Sequence, residues 1–530
     1  MDSEYFKKWK KLAGDQGVEG SNPPSATIFF NSSHSSNTVE ESPCRGFCNG
    51  QQPPNSTTSY FLSRDLDRDI IAFRFSQIEN QLPGERGHTL ARQCLLAVEI
   101  NEFKRDMARL GAFCYPGTGH LNPMTALARS LQLRGHEVVI FGIADIETRV
   151  RAASIEFHLI GAEDYPPGTL HKLEEQMAQS KRLAAFRFTL ERVRHSARMI
   201  LRDGPQAVRT AKVEALLVDE AEFAGSVADH LGMPWISIAL LPPLVQDDRF
   251  PPFWFGWAAG QDWFSRARNR LGTRFLSWLA GPIFRDVNQQ RSAWGLKPFK
   301  HDEEALSPLA QVTQLPEALE FAVGGKKPAG LYYTGPFVHA GQRPAVEFPW
   351  ERLDGRPLIY ASLGTLQNGS EAIFRTIAAA CAELDAQLLI SLGGGLDPAR
   401  LGELAGNPLV VRFVPQLEIL KRAALVITHA GLNTVLESLS EGVPMVAVPL
   451  GNDQPGVAAR VRAHGAGVVV PRRRLNPARL RKAVMLVLQD TRYREAAQVL
   501  QRALQRMDGP GRAADLIEQA LKLRSTGQPA

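Results

Sequence analysis

At 530 residues, with 44% hydrophobic and 22% charged side chains, the chain has the make-up of a globular protein of roughly two to four domains. No apolar run reaches the ~20 residues that a membrane-spanning helix needs. Five cysteines are too few for a disulfide scaffold and read as reduced thiols, and Cys44 and Cys48 have no second pair to complete a zinc site. A net charge of +6 permits weak attraction to an anionic membrane face or to nucleic acid without specifying either. With no charged head and apolar core at the N-terminus, the expectation is a cytoplasmic protein, with peripheral contact at the inner membrane face left open.

Residues 1–106 differ from the rest. They are rich in Ser, Asn, Pro and Gly without a sustained period, so they bury too little apolar surface to offset chain entropy and are expected to be disordered. The stretch GDQGVEGSNPPSA resembles a transfer RNA gene read as protein, and Met107 opens MARLGAFCYPGTGHLNPM like a natural start. The extension is therefore expected to be a misplaced start, a reading that intact-mass measurement checks. Asp65 and Asp67 form an Asp-x-Asp pair inside the charged run DLDRDI, without a flanking strand, and are discounted as a metal motif.

From Leu110 a strand–turn–helix–strand rhythm begins. Leu110–Tyr115 reads as a strand. Pro116–Gly119 reads as a turn ending in His120, and Asn122 as the cap of a helix with Pro123 at its first position. Strands follow at 137–143, 155–160, 215–218 (ending at Asp219 and Glu220) and 234–240, with helical stretches at 171–210 and 223–231. This alternation predicts a parallel sheet with right-handed crossovers. The segment at 250–264 holds Phe250, Phe253, Trp254, Phe255, Trp257, Trp263 and Phe264 among several prolines. It packs as core, walls an apolar ligand or forms a membrane-facing lip. Residues 266–294 read as helix, and YYTGPFV with the polar segment to about Arg356 reads as a linker.

The second half restarts the rhythm. Strands are predicted at 357–361, followed by Ser362-Leu363-Gly364-Thr365, and at 387–391, 409–413, 424–428, 444–448 and 468–470, with a helix from Pro477. Between Phe413 and Gln454 lies the most informative stretch. The apolar strand 424–428 meets the turn His429-Ala430-Gly431 and then a helix from Asn433, so that unpaired amides and the helix dipole face the strand's end and favour an anion. Glu437, one turn after Asn433, suits vicinal hydroxyls such as those of a ribose. Asp453 and Gln454 suit the hydroxyls of a sugar.

These residues resemble the nucleotide-sugar signature of family 1 glycosyltransferases, the UDP-glycosyltransferases, at Phe413, Pro415, Gln416, His429, Gly431, Asn433, Thr434, Glu437, Gly442, Val443, Pro444, Asp453 and Gln454. Phe413 stands where plant members carry Trp. The resemblance covers Met107 to the C-terminus and is strongest to the bacterial macrolide and zeaxanthin glucosyltransferase branch. It implies an α/β, GT-B fold of two Rossmann-like domains across a cleft. On it, 107–337 is the acceptor-binding domain, 338–356 a linker, 357–505 the nucleotide-sugar domain, and 506–530 a helix packing back on the first. A UDP-sugar is then the co-substrate, with no resident cofactor, metal or nucleic acid.

In open parallel sheets ligands bind beyond the carboxyl ends of strands, and His120, Asp219, Ser362, Thr365, His429, Asp453 and Gln454 all fall there. Transfer to a hydroxyl needs a base, which His120 can supply, oriented by Asp219 with Glu220 as the rival carboxylate. Leaving-group charge is expected on the amides after His429, on His429 itself, and on Ser362 and Thr365. Phe413 stacks on the base, and Gln416, Gly431, Asn433, Thr434 and Glu437 complete the donor site. Phe253, Trp254 and Trp257 wall an apolar acceptor, for which a hydroxylated carotenoid is favoured over a macrolide or sterol. Direct displacement inverts the anomeric centre. The competing classes are a non-catalytic carrier of apolar ligands, a dinucleotide oxidoreductase, disfavoured for want of a glycine triplet with a downstream acid, and an epimerase. Oligomeric state is not legible.

Overall fold

The computed structural model describes residues 29–30, 61–62, 107–179, 182–245, 247–324, 328–338, 346–365, 369–394 and 396–523. The chain divides into two units, Met1–Asn101 and Glu102–Ala530. In the first, Phe29–Phe30 pairs in parallel with Phe61–Leu62. Cys44, Cys48 and the Asp65/Asp67 pair lie outside the described residues.

The second unit holds two parallel sheets. The first contains β1 (Arg109–Phe113), β2 (Glu137–Gly142), β3 (Glu156–Leu159), β4 (Ala215–Asp219), β5 (Trp235–Ala239), β6 (Gln311–Thr313) and β7 (Leu331–Tyr333), in the order β3-β2-β1-β4-β5-β6-β7. The second contains β8 (Leu358–Ser362), β9 (Gln387–Ser391), β10 (Leu409–Val411), β11 (Ala423–Thr428), β12 (Met445–Ala447) and β13 (Gly467–Val469), in the order β10-β9-β8-β11-β12-β13. Both are Rossmann-like. Their central strands read as apolar runs because helices cover both faces. In β8, Leu358 and Tyr360 enter one core of the second lobe while Ile359 and Ala361 enter the other, which is the two-residue period of a strand buried on both sides.

In each sheet the strand order reverses between the first strand and its neighbour on the far side, β1/β4 and β8/β11. That reversal opens a crevice at the carboxyl ends, where ligands of such sheets bind. The parallel register pairs Phe113 with Val218 and Ser362 with Thr428, which brings the residues just beyond these strands to the two crevices.

The helices that position the site are α1 (Thr118–Leu133), α2 (Thr169–Gln179), α3 (Arg182–Ala211), α4 (Gly225–Leu231), α5 (Trp263–Ala293), α6 (Glu371–Cys381), α7 (Gln416–Leu420), α8 (Leu432–Ser440) and α9 (Gln454–Ala463), followed by α10 (Pro477–Gln489), α11 (Thr491–Leu504) and α12 (Gly509–Ala520). The last of these joins the first lobe. Ala513, Ala514 and Ile517 enter its core. Arg134 donates to Asp515 at 2.6 Å, to Glu518 at 3.0 Å and to the Gly511 carbonyl at 2.7 Å.

Two local expectations are corrected. Helix α1 does not begin at an Asn122 cap. It starts a turn earlier, after an extended Gly117 whose carbonyl accepts from the amides of His120 and Leu121, so His120 lies in the helix's first turn and Pro123 inside it. The YYTGPFV segment is not all linker, since Leu331–Tyr333 is the edge strand of the first sheet, paired with Gln311–Thr313. The basic stretch at 171–210, predicted helical, carries α2 and α3.

Candidate active site

A cavity of about 530 Å³ lies between the lobes, within the range of sites that take a drug-sized ligand. One side is lined by Tyr115, His120, Asp219, Glu222 and Phe223 of the first lobe. The other is lined by Ser362, Thr365, Phe413, Gln416, His429, Gly431, Asn433, Thr434, Glu437, Asp453 and Gln454 of the second.

On the first-lobe side, Asp219 ends β4 and His120 rides the first turn of α1. Their side chains meet with His120 Nδ1 2.7 Å from Asp219 Oδ2. A carboxylate only accepts, so Nδ1 carries the proton and Nε2 is the basic nitrogen of the neutral ring. Backbone amides hold Asp219 in turn: Tyr115 N–H donates to Oδ2 at 3.2 Å and Ala221 N–H to Oδ1 at 3.1 Å. Burial pulls the His120 pKa down, but the adjacent Asp219 carboxylate, helped by Asp453 and Glu222, outweighs it and leaves the imidazole above its ordinary value. The rival Glu220 is turned elsewhere. It accepts from Gln311 at 2.6 Å and from the Leu244 amide at 3.1 Å, and burial pushes its pKa up to about 7.

Glu222 was not singled out by the sequence. It is buried beside this pair and accepts from Ser196 Oγ at 2.8 Å, and burial pushes its pKa up to about 8. Nothing in the run LLVDEAEF distinguishes it from its neighbours; only the backbone reversal after Asp219, where Glu222 N–H donates to the Asp219 carbonyl at 2.8 Å, brings it inward.

On the second-lobe side, β11 ends at Thr428 and the chain turns through His429, Ala430 and Gly431 into α8. Ala430 takes φ 69°, a left-handed conformation that costs a non-glycine residue about 1–2 kcal/mol; its amide donates to Thr428 Oγ1 at 3.1 Å. The N-cap of α8 has no side-chain hydrogen bond, so the helix's first amides and its dipole face the cavity. The His429 imidazole is wedged between two glycines. A Cβ on Gly364 would stand 2.6 Å from its Cε1, and one on Gly431 2.5 Å from its Nε2. Burial pushes its pKa down to about 4, so the ring is neutral at pH 7.

A hydrogen-bonded row runs along the floor: Tyr360 O–H donates to Gln416 Oε1 at 2.8 Å, and Gln416 Nε2–H donates to Glu437 Oε2 at 2.8 Å. Tyr360 is a further residue that sequence reading missed, since mid-strand it looks like core. Phe413 rests on the bare backbone of Gly394, where a Cβ would come within 2.8 Å of Cζ, and the ring remains 45% exposed at the cavity. Asp453 is buried at the start of α9, and its pKa is pushed up to about 6 by that burial.

Two of the donor-side residues are engaged by the protein's own groups. Asn433 lines the cavity, but both ends of its amide are engaged across the lobes. Its Nδ2 donates to the Gly119 carbonyl at 2.8 Å, and its Oδ1 accepts from Gln314 Nε2 at 3.0 Å. The cause lies in α1: the proline at 123 has no N–H to give to the carbonyl four residues back, which is that of Gly119. Gln454 turns its Oε1 onto its own loop, accepting from the amides of Leu450 at 2.7 Å and Gly451 at 3.0 Å.

The aromatic segment is divided. Phe253 and Trp254 line the cavity, and the backbone of Phe253 lies against Gly456 of α9, where a Cβ would stand 2.2 Å from its carbonyl oxygen. Trp257 does not line the cavity: it stacks on Phe255 with centroids 4.1 Å apart, below Arg268 and against Gly272 of α5. Aliphatic and aromatic side chains, Leu190, Val193, Phe223, Leu276, Ile283 and Phe284, make up the first-lobe wall. Among the described residues no three of His, Cys, Asp and Glu are grouped to hold a metal ion.

Residues 353–516 match the family described as UDP-glucoronosyl and UDP-glucosyl transferase, and residues 116–218 match the glycosyltransferase family 28 N-terminal domain. The chain is 33% identical over 430 residues to a zeaxanthin glucosyltransferase of Pantoea ananas, covering 80% of this chain and 97% of that protein. It is 32% identical over 432 residues to a zeaxanthin glucosyltransferase of Pseudescherichia vulneris, covering 78% and 98%. Among solved structures, the glycotransferase of kitacinnamycin superposes with a TM-score of 0.61 at 24% identity, over 78% of this chain and 98% of that one.

Proposed function

The chain belongs to the UDP-glycosyltransferase family, and on that premise we propose that it transfers a hexose from a UDP-sugar to a hydroxyl of an apolar small molecule, with inversion and without a metal ion. It is a glycosyltransferase of GT-B architecture. The observation that carries the finer reading is the opposition, across one cavity, of a carboxylate-paired imidazole and a helix start with uncapped amides.

In this reading His120 Nε2 takes the proton from the acceptor hydroxyl as its oxygen attacks the anomeric carbon, and Asp219 stabilises the imidazolium that forms. The bond between the anomeric carbon and the diphosphate oxygen breaks, and the charge left on the diphosphate falls on the first amides of α8, with Ser362 and Thr365 at the facing turn. Neutral His429 contributes a dipole to that pocket rather than a charge. Phe413 offers its exposed face to the uracil, the Gln416–Glu437 pair meets the ribose hydroxyls, and Asp453 holds the sugar. The apolar wall and the names of the two relatives support a hydroxylated carotenoid such as zeaxanthin as acceptor. Mass spectrometry of products from UDP-glucose with a panel of apolar alcohols, a dihydroxy carotenoid among them, is expected to show the carotenoid gaining one and then two hexoses; turnover of polar acceptors alone overturns the acceptor reading.

The base assignment also fixes a pH profile. The base works deprotonated, so kcat/KM is full above the His120 pKa and is lost as pH falls through it. Asp219→Asn removes the interaction that raises that pKa and leaves the burial that lowers it. The acidic limb of the Asn variant is therefore expected at lower pH than in the parent, with a reduced plateau because the ring loses its partner. An unmoved limb in the pH–rate profile argues against His120 as the titrating group.

A further inference from the structure

Helix α5 has two apolar faces. The inner one, with Thr273, Leu276, Ala280, Ile283 and Phe284, lines the cavity. The outer one carries Phe264, Leu271, Phe275 and Trp278. At 3.6 residues per turn these four fall within an arc of roughly 60° and span ~21 Å along the axis. With Trp263 at the helix start, each is between 51% and 78% exposed. Five of the fifteen large hydrophobic side chains exposed among the described residues thus sit on one ridge, where isolated exposed residues are the norm. Of the 250–264 aromatics, Phe253 and Trp254 face the cavity and Trp257 packs under the helix, while Trp263 and Phe264 are exposed at the helix start.

The charge on this helix is one-sided. Its 31 residues include six arginines and a single acid, Asp286, which is itself paired with Arg194 and Arg198 of α3. Arg274 and Arg285 lie beside the ridge and are exposed; they make no ion pair among the described residues. Other basic groups nearby are engaged: Arg266 and Arg270 with Asp248, and Arg268 with the Ala258 carbonyl and the face of Trp257. The acids Asp302 and Glu303 line the cavity on the inner side of the helix.

We propose that the outer face of α5 seats the protein on an anionic lipid surface. Tryptophan and phenylalanine sink into the headgroup boundary, and Arg274 and Arg285 meet lipid phosphates. This rests on the reading of the cavity as an apolar acceptor's site, and extends it: the acceptor arrives dissolved in the bilayer, and one helix separates the lipid from the chamber. Charge complementarity selects lipid over an uncharged apolar partner, and aromatic side chains beside arginines match the interfacial zone of a bilayer.

The test is sedimentation of the full chain with vesicles of phosphatidylcholine alone or mixed with phosphatidylglycerol. The protein is expected to partition onto the mixed vesicles, and less so at high salt. Leu271→Ser/Phe275→Ser/Trp278→Ser is expected to weaken partitioning at least about tenfold, and Arg274→Glu/Arg285→Glu to remove the preference for phosphatidylglycerol. Both variants should keep the parent's circular dichroism and its turnover of a detergent-dispersed acceptor. His120→Ala should bind vesicles like the parent, so that failure of the transferase reading and failure of this one are told apart. The proposal is overturned if the parent does not sediment with mixed vesicles, if the ridge variant partitions as the parent does, or if light scattering finds a parent dimer that the ridge variant dissolves, which would give this face to a second copy of the chain.

Discussion

Replacing His120 with alanine is expected to lower kcat by about 10²–10⁴-fold, the usual contribution of a positioned general base, while the affinity for UDP, measured by calorimetry, stays within about twofold. The imidazole is the group on the first-lobe wall that couples a basic nitrogen to a buried carboxylate, through the 2.7 Å contact with Asp219. Its removal leaves the second-lobe turn untouched, because the contact between α1 and α8 runs through the Gly119 carbonyl and not through the ring. The variant therefore separates chemistry from donor binding. A kcat within a few-fold of the parent would assign proton transfer to another group. Lost affinity for UDP would mean that the ring supports the donor site.

The second large effect is on stability. Glu320 and Arg460 are both buried, and Glu320 Oε1 accepts from Arg460 Nε at 2.9 Å and Nη2 at 2.8 Å, and from the Phe321 amide at 2.9 Å. Glu320 lies in the connection from β6 to β7 of the first sheet, and Arg460 belongs to α9, where its guanidinium also lies 4.6 Å from the Phe321 ring centroid. Glu320→Ala leaves the guanidinium buried with little more than the Gly456 carbonyl at 3.2 Å. Breaking a buried pair on one side costs about 3–5 kcal/mol, chiefly from the uncompensated charge. Denaturant titration should show that loss in Glu320→Ala, and the double variant Glu320→Leu/Arg460→Met should recover at least half of it. Additive losses in the two single variants would mean that the pair is not coupled.

Much of this site is legible in the sequence because a parallel sheet converts strand ends into neighbours. His120 and Asp219 stand 99 residues apart, yet both lie at the carboxyl ends of the strands flanking the reversal point of the first sheet, and an imidazole and a carboxylate at such places are visible without coordinates. The strand, turn and helix around His429 are equally plain, because their apolar run, small residues and helical spacing are local. What was not legible depends on which way a side chain turns. Trp257 and Trp254 are chemically alike and three residues apart, and only packing against Gly272 sends one under α5 while the other faces the cavity. Gln311–Thr313 and Leu331–Tyr333 are too short to show a period, and join the sheet only because β5 offers an edge to the first and the first to the second. The ridge on α5 does have a trace in the sequence, in the helical spacing of 264, 271, 275 and 278.

The proline within the first turns of α1 has an effect beyond its own helix. By withholding an N–H it leaves the Gly119 carbonyl for Asn433, and the same carboxamide is held from its other end by Gln314. Neutral bonds of this kind contribute about 1 kcal/mol each, so the latch is weak by itself, yet both bonds must break together. Asn433 belongs to the first turn of the helix proposed to receive the diphosphate. A nucleotide that steadies this turn steadies the posture of His120 next door, and by thermodynamic reciprocity an acceptor that draws α1 inward tightens the grip on the nucleotide by the same factor.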